Sequence, residues 1–195
     1  MNEPVPPMNA MDVVEEEGAL VRLAQRGDHA FARLYQRYAR VVHGIILARL
    51  PSAEVDDQVQ EVFIAALRKL GSLRDTQAFG GWLCAIARNR AADFHRSAVS
   101  TEELTDTETA ADSAAENADA AEALRAIRSL PETHRETLLL RLVEGLTGPE
   151  IAARTGLTHG SVRVNLHRGM QMLRRALGRK QGSEQGREPG MELPS

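Results

Sequence analysis

Apolar residues recur at spacings of three and four along most of the chain, without the strict alternation that a half-buried strand needs. The clearest stretch runs from Leu146 to Leu177. In its second part Val162, Leu166, Met170, Leu173 and Leu177 form one inward stripe, while His159, Arg163, His167, Arg168, Gln171, Arg174 and Arg175 take the opposite side. A shorter periodic segment precedes it and ends at Gly156. Thr147 with Glu150 has the spacing of a capping box, and Pro149 falls in the first turn, where its missing N–H costs nothing. Thr158 is placed to cap the second helix, with Leu157 in the corner. Short helix, tight turn and longer basic helix predict a helix-turn-helix whose cationic face suits a DNA major groove. The alternative is an ordinary helical hairpin with a solvated charged face.

The same periodicity predicts helices upstream. Residues 1–17 hold three prolines and a run of three glutamates and read as a disordered leader. Order is expected from near Leu20. Gly27 closes a short helix and Asp28 caps a long one, whose Phe31, Leu34, Tyr35, Tyr38, Val41, Val42 and Ile45 make one stripe ending near Pro51. A third helix starts around Ala53, with Val55, Val59, Val62, Phe63, Ala66, Leu67 and Leu70 inside and Asp56, Asp57, Gln60 and Glu61 outside. These carboxylates lack a neighbouring histidine and suit the positive end of the helix, so a docking or solvated face is favoured over a metal site. After a polar loop, GSLRDTQAFGG, a helix from Gly81 turns Trp82, Leu83, Ile86, Ala87 and Phe94 inward. Its other side, Arg88, Asn89, Arg90, His95 and Arg96, is basic. Aromatics beside arginines could flank single-stranded bases, and a structural Trp is the equal rival. Further on, Pro131 marks a helix start, with Leu138, Leu139, Leu142 and Val143 expected inside.

Composition agrees with an all-α chain: 43% of residues are hydrophobic and only 4% aromatic. Cys84 is the single cysteine, which excludes an internal disulfide or a multi-cysteine zinc site, and its apolar setting, WLCAIA, predicts a buried thiol. No apolar run approaches membrane-spanning length and the acidic N-terminus is unlike a signal peptide, so a cytoplasmic protein is expected. The net charge of −3 conceals a segregation. Counting Lys and Arg against Asp and Glu, residues 1–17 carry −5, 18–96 carry +5, 97–122 carry −8, 123–180 carry +7 and 181–195 carry −2. Two basic blocks on an acidic tether with hardly any large apolar side chain predict two small helical domains that bind polyanion, the C-terminal one a helix-turn-helix. The boundaries expected are a leader 1–17, a domain 18–96, a flexible acidic linker 97–122, a domain 123–180 and a disordered tail 181–195.

In order, GDHAFARLYQRY, DQVQEVFIAALRKL, WLCAIARNRAADFHR and LPETHRETLLLRLVEGLTGPEIAARTGLTHGSVRVNLHR resemble the successive segments of the bacterial RNA polymerase sigma factors of the small extracytoplasmic-function class. The resemblance covers residues 18 to about 180. It implies an initiation factor that binds core RNA polymerase, directs it to specific promoters and promotes DNA melting. Asp57, Gln60 and Glu61 match the segment that docks on the clamp helices of the largest polymerase subunit, with Phe63 packed inside. Arg88, Asn89 and Arg90 fall, with Asp93 and Arg96, in the segment that reads and opens the minus-ten element. The loop from Gly71 to Phe79, with Arg74, Asp75, Thr76 and Gln77, corresponds to the loop that captures a flipped base. Arg163 and Arg168 match contacts to the minus-thirty-five element, on a surface shared with Thr158, His159, Ser161, Val164 and His167. Two departures stand out: Gln58 where a leucine is usual, and Val164 with Asn165 in place of a more polar, basic pair.

The implied partners are core polymerase, promoter DNA and an anti-sigma factor, with no cofactor, metal or small-molecule substrate. Two rivals use the same residues differently. An ordinary helix-turn-helix repressor or response regulator would employ the C-terminal domain alone, but residues 18–96 lack the alternating strands and helices of a receiver. A sigma-like decoy would titrate an anti-sigma factor without supporting transcription. An enzyme is disfavoured because no His, Ser or Cys arrangement converges.

Overall fold

The computed structural model describes residues 10–27, 29–101 and 118–184. Every regular element among the described residues is helical: α1 (Ala10–Gln25), α2 (Ala30–Leu47), α3 (Val55–Lys69), α4 (Phe79–Thr101), α5 (Ala118–Arg128), α6 (Glu132–Leu142), α7 (Gly148–Thr155) and α8 (His159–Glu184). Short 3-10 turns lie at Ser52–Glu54, Leu70–Ser72 and Thr76–Ala78. The all-α fold expected from the periodicity is present.

Helix α2 is the hub of the N-terminal half. Leu34, Tyr38, Val41, Val42, Ile45 and Ile46 are all buried, a band wide enough to receive α1, α3 and α4. Aromatic rings lock these contacts: Phe63 lies 4.6 Å from Tyr35 and 6.4 Å from Phe31, and Phe79 lies 5.2 Å edge-on from Tyr38. Helix α6 plays the same part in the C-terminal half, carrying α5, α7 and α8. Its Leu138 meets α8 at Gly169, where an added Cβ would come within 3.0 Å of the leucine. Its Leu140 points the other way and meets α2 at Gly44, where a Cβ would come within 2.8 Å. The two halves therefore share one continuous core.

Polar contacts close the seam between them. Arg128 donates to the carbonyl oxygens of Leu47 and Leu50 at 3.3 and 3.0 Å, and Arg135 to that of Ala48 at 3.0 Å. Those carbonyls end α2 and lack helical partners, and the dipole there favours cations. At the other end of the seam, Gly80 at the start of α4 sits against the end of α7, and a Cβ on it would lie 2.6 Å from the Arg154 carbonyl oxygen.

Several sequence expectations change. Helix α1 begins at Ala10, inside the stretch expected to be a disordered leader, and its Glu16 and Glu17 pair with Arg37 at 3.2 and 3.7 Å. The glutamate run thus has a cationic partner on α2. Both ends of the 97–122 tether are helical, since α4 continues to Thr101 and α5 starts at Ala118; residues 102–117 lie outside the described residues. Helix α8 likewise runs to Glu184, into the expected tail. The predicted cap Asp28 lies outside the described residues, and α4 starts at Phe79 rather than Gly81. Leu67, expected inside, is 53% exposed. Leu142 and Val143 are also exposed, and Leu140 is buried in their place, because α6 is sandwiched between α2 and α8 rather than lying on one surface.

Candidate polymerase and nucleic-acid interfaces

The helix-turn-helix is built as its local signals require. Glu150 N–H donates to Thr147 Oγ1 at 3.4 Å and Thr147 N–H donates to Glu150 Oε2 at 2.8 Å, completing the capping box. The backbone and side-chain hydrogen bonds from Thr147 hold the Glu150 carboxyl below its ordinary pKa. Gly156 ends α7 with φ of +75°, a left-handed turn that favours glycine. Ser161 N–H then donates to Thr158 Oγ1 at 3.1 Å, and the two hydroxyls are 2.8 Å apart. Thr158 and Ser161, both expected on the DNA surface, are exposed but engaged in this cap.

Along α8, Val162 and Leu173 are buried, and Leu166, Met170 and Leu177 are partly buried against the same core. His159, Arg163, His167, Arg168, Gln171, Arg174 and Arg175 are all exposed, as the pattern predicts. Gln171 and His167 bond side chain to side chain at 3.0 Å. Arg163 and His159 border a groove of about 450 Å³ whose floor includes Pro149, Val162 and Leu166. The departure at the next two positions resolves unexpectedly: Val164 is 42% exposed and Asn165 only 8%.

On α3, Asp57, Gln60 and Glu61 are exposed together. Ile64 and Leu67 extend that face by two turns, at 41% and 53% exposure. The sequence pattern assigned neither to it, although Ile64, three and four residues after Glu61 and Gln60, and Leu67, three after Ile64, carried the signal. Gln58, the other departure, is buried because its Oε1 accepts from Arg90 Nε at 2.9 Å. Arg90 Nη2 also lies 3.6 Å from Glu61. The side chain expected on the DNA surface thus bridges to α3.

The loop between α3 and α4 is held from behind by α1. Gln25 Nε2 donates to the carbonyls of Leu70 and Leu73 at 3.0 and 2.8 Å, and Arg22 donates to Thr76 Oγ1 at 3.1 Å. Asp75 accepts from Gln77 N–H at 3.0 Å, so its carboxylate shapes the turn. Arg74 and Gln77 are exposed. On α4, Asn89 is exposed and Arg96 pairs with Asp93. Trp82 is half-buried 5.8 Å from Phe79, a packing role. Cys84 is buried with its thiol pushed up to about 12 by burial, and it donates to the Arg154 carbonyl at 3.6 Å.

Arg88 is the expected DNA contact whose setting differs most. It donates from Nη2 to Glu136 Oε1 at 2.7 Å and from Nε to Oε2 at 3.2 Å, across the seam. Arg49 donates to the same Oε2 at 2.6 Å and also pairs with Glu132. Burial pushes the Glu136 carboxyl up, but the Arg88 hydrogen bonds and the charges of both arginines outweigh it and hold the group below its ordinary value. One turn from the end of the same seam, His43 Nδ1 donates to Glu144 Oε1 at 2.6 Å. No pattern within either half shows which residue of the other will meet it. Among the described residues no group of three or more His, Cys, Asp or Glu side chains could hold a metal, and no helix is long and apolar enough to cross a membrane.

Comparison with known proteins adds independent findings. The family described as Sigma-70 region 2 matches residues 34–101, and Sigma-70, region 4 matches residues 120–173. The chain is 35% identical over 172 residues to the ECF RNA polymerase sigma-E factor of Escherichia coli K12, covering 79% of this chain and 90% of that one. It is 34% identical over 170 residues to the ECF RNA polymerase sigma factor BldN of Streptomyces coelicolor, covering 81% of this chain but spanning only 64% of that relative's length. The solved structure of CnrH in complex with the cytosolic domain of CnrY superposes with a TM-score of 0.58 at 25% identity, over 83% of this chain and 97% of that one.

Proposed function

The chain belongs to the sigma-70 family, in its ECF branch, and from that premise we propose how its surfaces divide the work of initiation. It binds core RNA polymerase, directs it to specific promoters and promotes melting there. The nucleotide chemistry belongs to the polymerase, and the protein works in the cytoplasm. Asp57, Gln60 and Glu61, with the apolar extension Ile64 and Leu67, dock on the clamp helices of the largest subunit. Arg163, His167 and Arg168 engage the minus-thirty-five element, and the loop with Arg74 and Gln77, beside Asn89, Arg88, Arg90 and Arg96, takes the minus-ten strand. Its regulator is an anti-sigma factor.

The observation that carries this reading is the exposed cationic side of α8 on a fully capped helix-turn-helix, in one chain with an exposed acidic and apolar α3 face. The closed seam sets a condition on it. Elements about 25 base pairs apart are separated by roughly 85 Å of B-DNA, whereas α8, the longest helix at 26 residues, is only ~39 Å long. The two halves separate to reach both, and Glu136 then releases Arg88 for DNA.

The test is reconstitution. Purified protein with bacterial core polymerase and a genomic promoter library should give defined start sites. A repressor or a decoy would give none, and that result would reject the proposal.

A further inference from the structure

Among exposed α8 positions from His159 to Arg175 that carry a side chain, every one is polar or cationic except one. Val164 is 42% exposed among Arg163, His167 and Arg168. A single exposed valine is ordinary on a protein surface. This one is placed unusually, because its polar neighbour Asn165 is buried while the apolar residue faces out. The helix thus leaves a substantial part of an apolar side chain open to water or a ligand.

Its surroundings select the ligand. Gly160, one turn earlier, presents no side chain and has open space around it, since a Cβ there would meet only Thr158 Oγ1, at 3.9 Å. The wall of the helix is therefore low on the N-terminal side of Val164 and lets the duplex come close. Valine in a helix is held in essentially one rotamer, which fixes both methyls. Within a major groove every base edge presents hydrogen-bonding atoms, and the one apolar group is the C5-methyl of thymine. A valine set against a donor or acceptor would leave that group desolvated and unpaired.

We propose that Val164 reads a thymine methyl group in the upstream promoter element, with Arg163 and Arg168 fixing the register around it. The inference rests on the assignment of α8 to that element and adds one specified base-pair feature to it. Uracil and thymine pair identically with adenine and differ only by this methyl, so the contribution can be isolated. Burial of one methyl against another predicts roughly three- to tenfold tighter binding to thymine.

The experiment uses the protein bound to core polymerase. A duplex library randomised across the upstream element is selected twice, once made with thymidine and once with deoxyuridine. Wild type should show a thymine preference at one position that disappears in the deoxyuridine library while preferences at other positions persist. Val164→Ala should lose the same preference in the thymidine library, and 5-methylcytosine at that position should bind better than cytosine to wild type only. Identical wild-type profiles from the two libraries, or an undiminished methyl effect in Val164→Ala, would overturn the proposal. Arg163→Ala and Arg168→Ala separate the two levels. If they change binding while the methyl is ignored, only the role of Val164 fails; if they change nothing, the assignment of α8 fails and takes the inference with it.

Discussion

Replacing Glu136 by Gln should open the seam between the halves without unfolding either. The carboxylate is buried at 6% exposure and accepts three hydrogen bonds, one from Arg49 and two from Arg88, all from the opposite half. Removing one partner of a buried ion pair costs about 3–5 kcal/mol, because the remaining charge stays desolvated. Glutamine keeps the shape and one acceptor oxygen, Arg49 retains Glu132, and Arg88 is partly solvated, so the expected loss is about 2–4 kcal/mol. That shifts the balance between closed and open forms by roughly 30- to 1,000-fold. Dyes on cysteines introduced at the exposed positions Gln36 and Arg174 report the distance by energy transfer, in a Cys84→Ala background because the native thiol abuts the Arg154 carbonyl at the seam and would be uncovered on opening. The variant should show a longer mean distance with unchanged helix content. In wild type the Glu136 contribution is present above the ordinary carboxyl value near 4.5 and is lost as pH falls through its lower folded value. Unchanged energy transfer in Glu136→Gln at neutral pH would refute the reasoning, since the three bonds would then be contributing nothing to closure.

The other seam contact responds in the opposite direction. The Glu144 hydrogen bond raises the pKa of His43 against the opposing effect of burial, with Glu144 and Asp56 favouring and Arg40 adjoining the charged pair, so its contribution is full below the ordinary value near 6.5 and fades as pH rises through the raised one. Energy transfer should therefore be higher at pH 6 than at pH 8, and His43→Gln should flatten the difference. Charge reversal at Asp57 and Glu61 together should weaken capture of core polymerase while circular dichroism stays unchanged; equal capture would remove the docking role. Arg163→Ala should relax specificity at one base position, worth about 1–3 kcal/mol, whereas Arg168→Ala should weaken all sequences evenly and lower the salt slope by about one. Replacing residues 72–78 with a Gly/Ser linker should preserve polymerase and upstream-element binding and abolish permanganate-detectable opening near the start site; normal opening would show that the loop captures no base.

Caps and periodicity made the C-terminal surface legible, because they act within a few residues. Thr147, Glu150, Gly156 and Thr158 each meet a partner close in sequence, so their roles could be read directly. The same holds for the sides of α8. What escaped depends on partners far along the chain. Leu140 is buried because Gly44 of α2 leaves room for it, which no α6 pattern can announce. The acidic run at Glu16 and Glu17 looked like solvated leader until Arg37 supplied its countercharge. Arg88 was read as free basic surface because Glu136 lies 48 residues away. Gln58 was recognised as a departure, but only the approach of Arg90 from α4 shows what the amide does.

On the proposed assignments of Glu61 to polymerase and Arg90 to the melted strand, the Arg90 bridge would make the two capture steps thermodynamically reciprocal. Glu61 cannot give its full field to a cation of the polymerase and to Arg90 at once. A docking partner that took Glu61 would leave the Arg90 guanidinium without that countercharge and free to meet phosphate, with Gln58 still holding it in place. Linkage requires the converse: a phosphate that draws Arg90 away leaves Glu61 a better ligand for the polymerase, by the same free energy. The pair is half-exposed, so the coupling is only about 0.2–1 kcal/mol. Its sign would favour melted DNA in the assembled enzyme over the free protein.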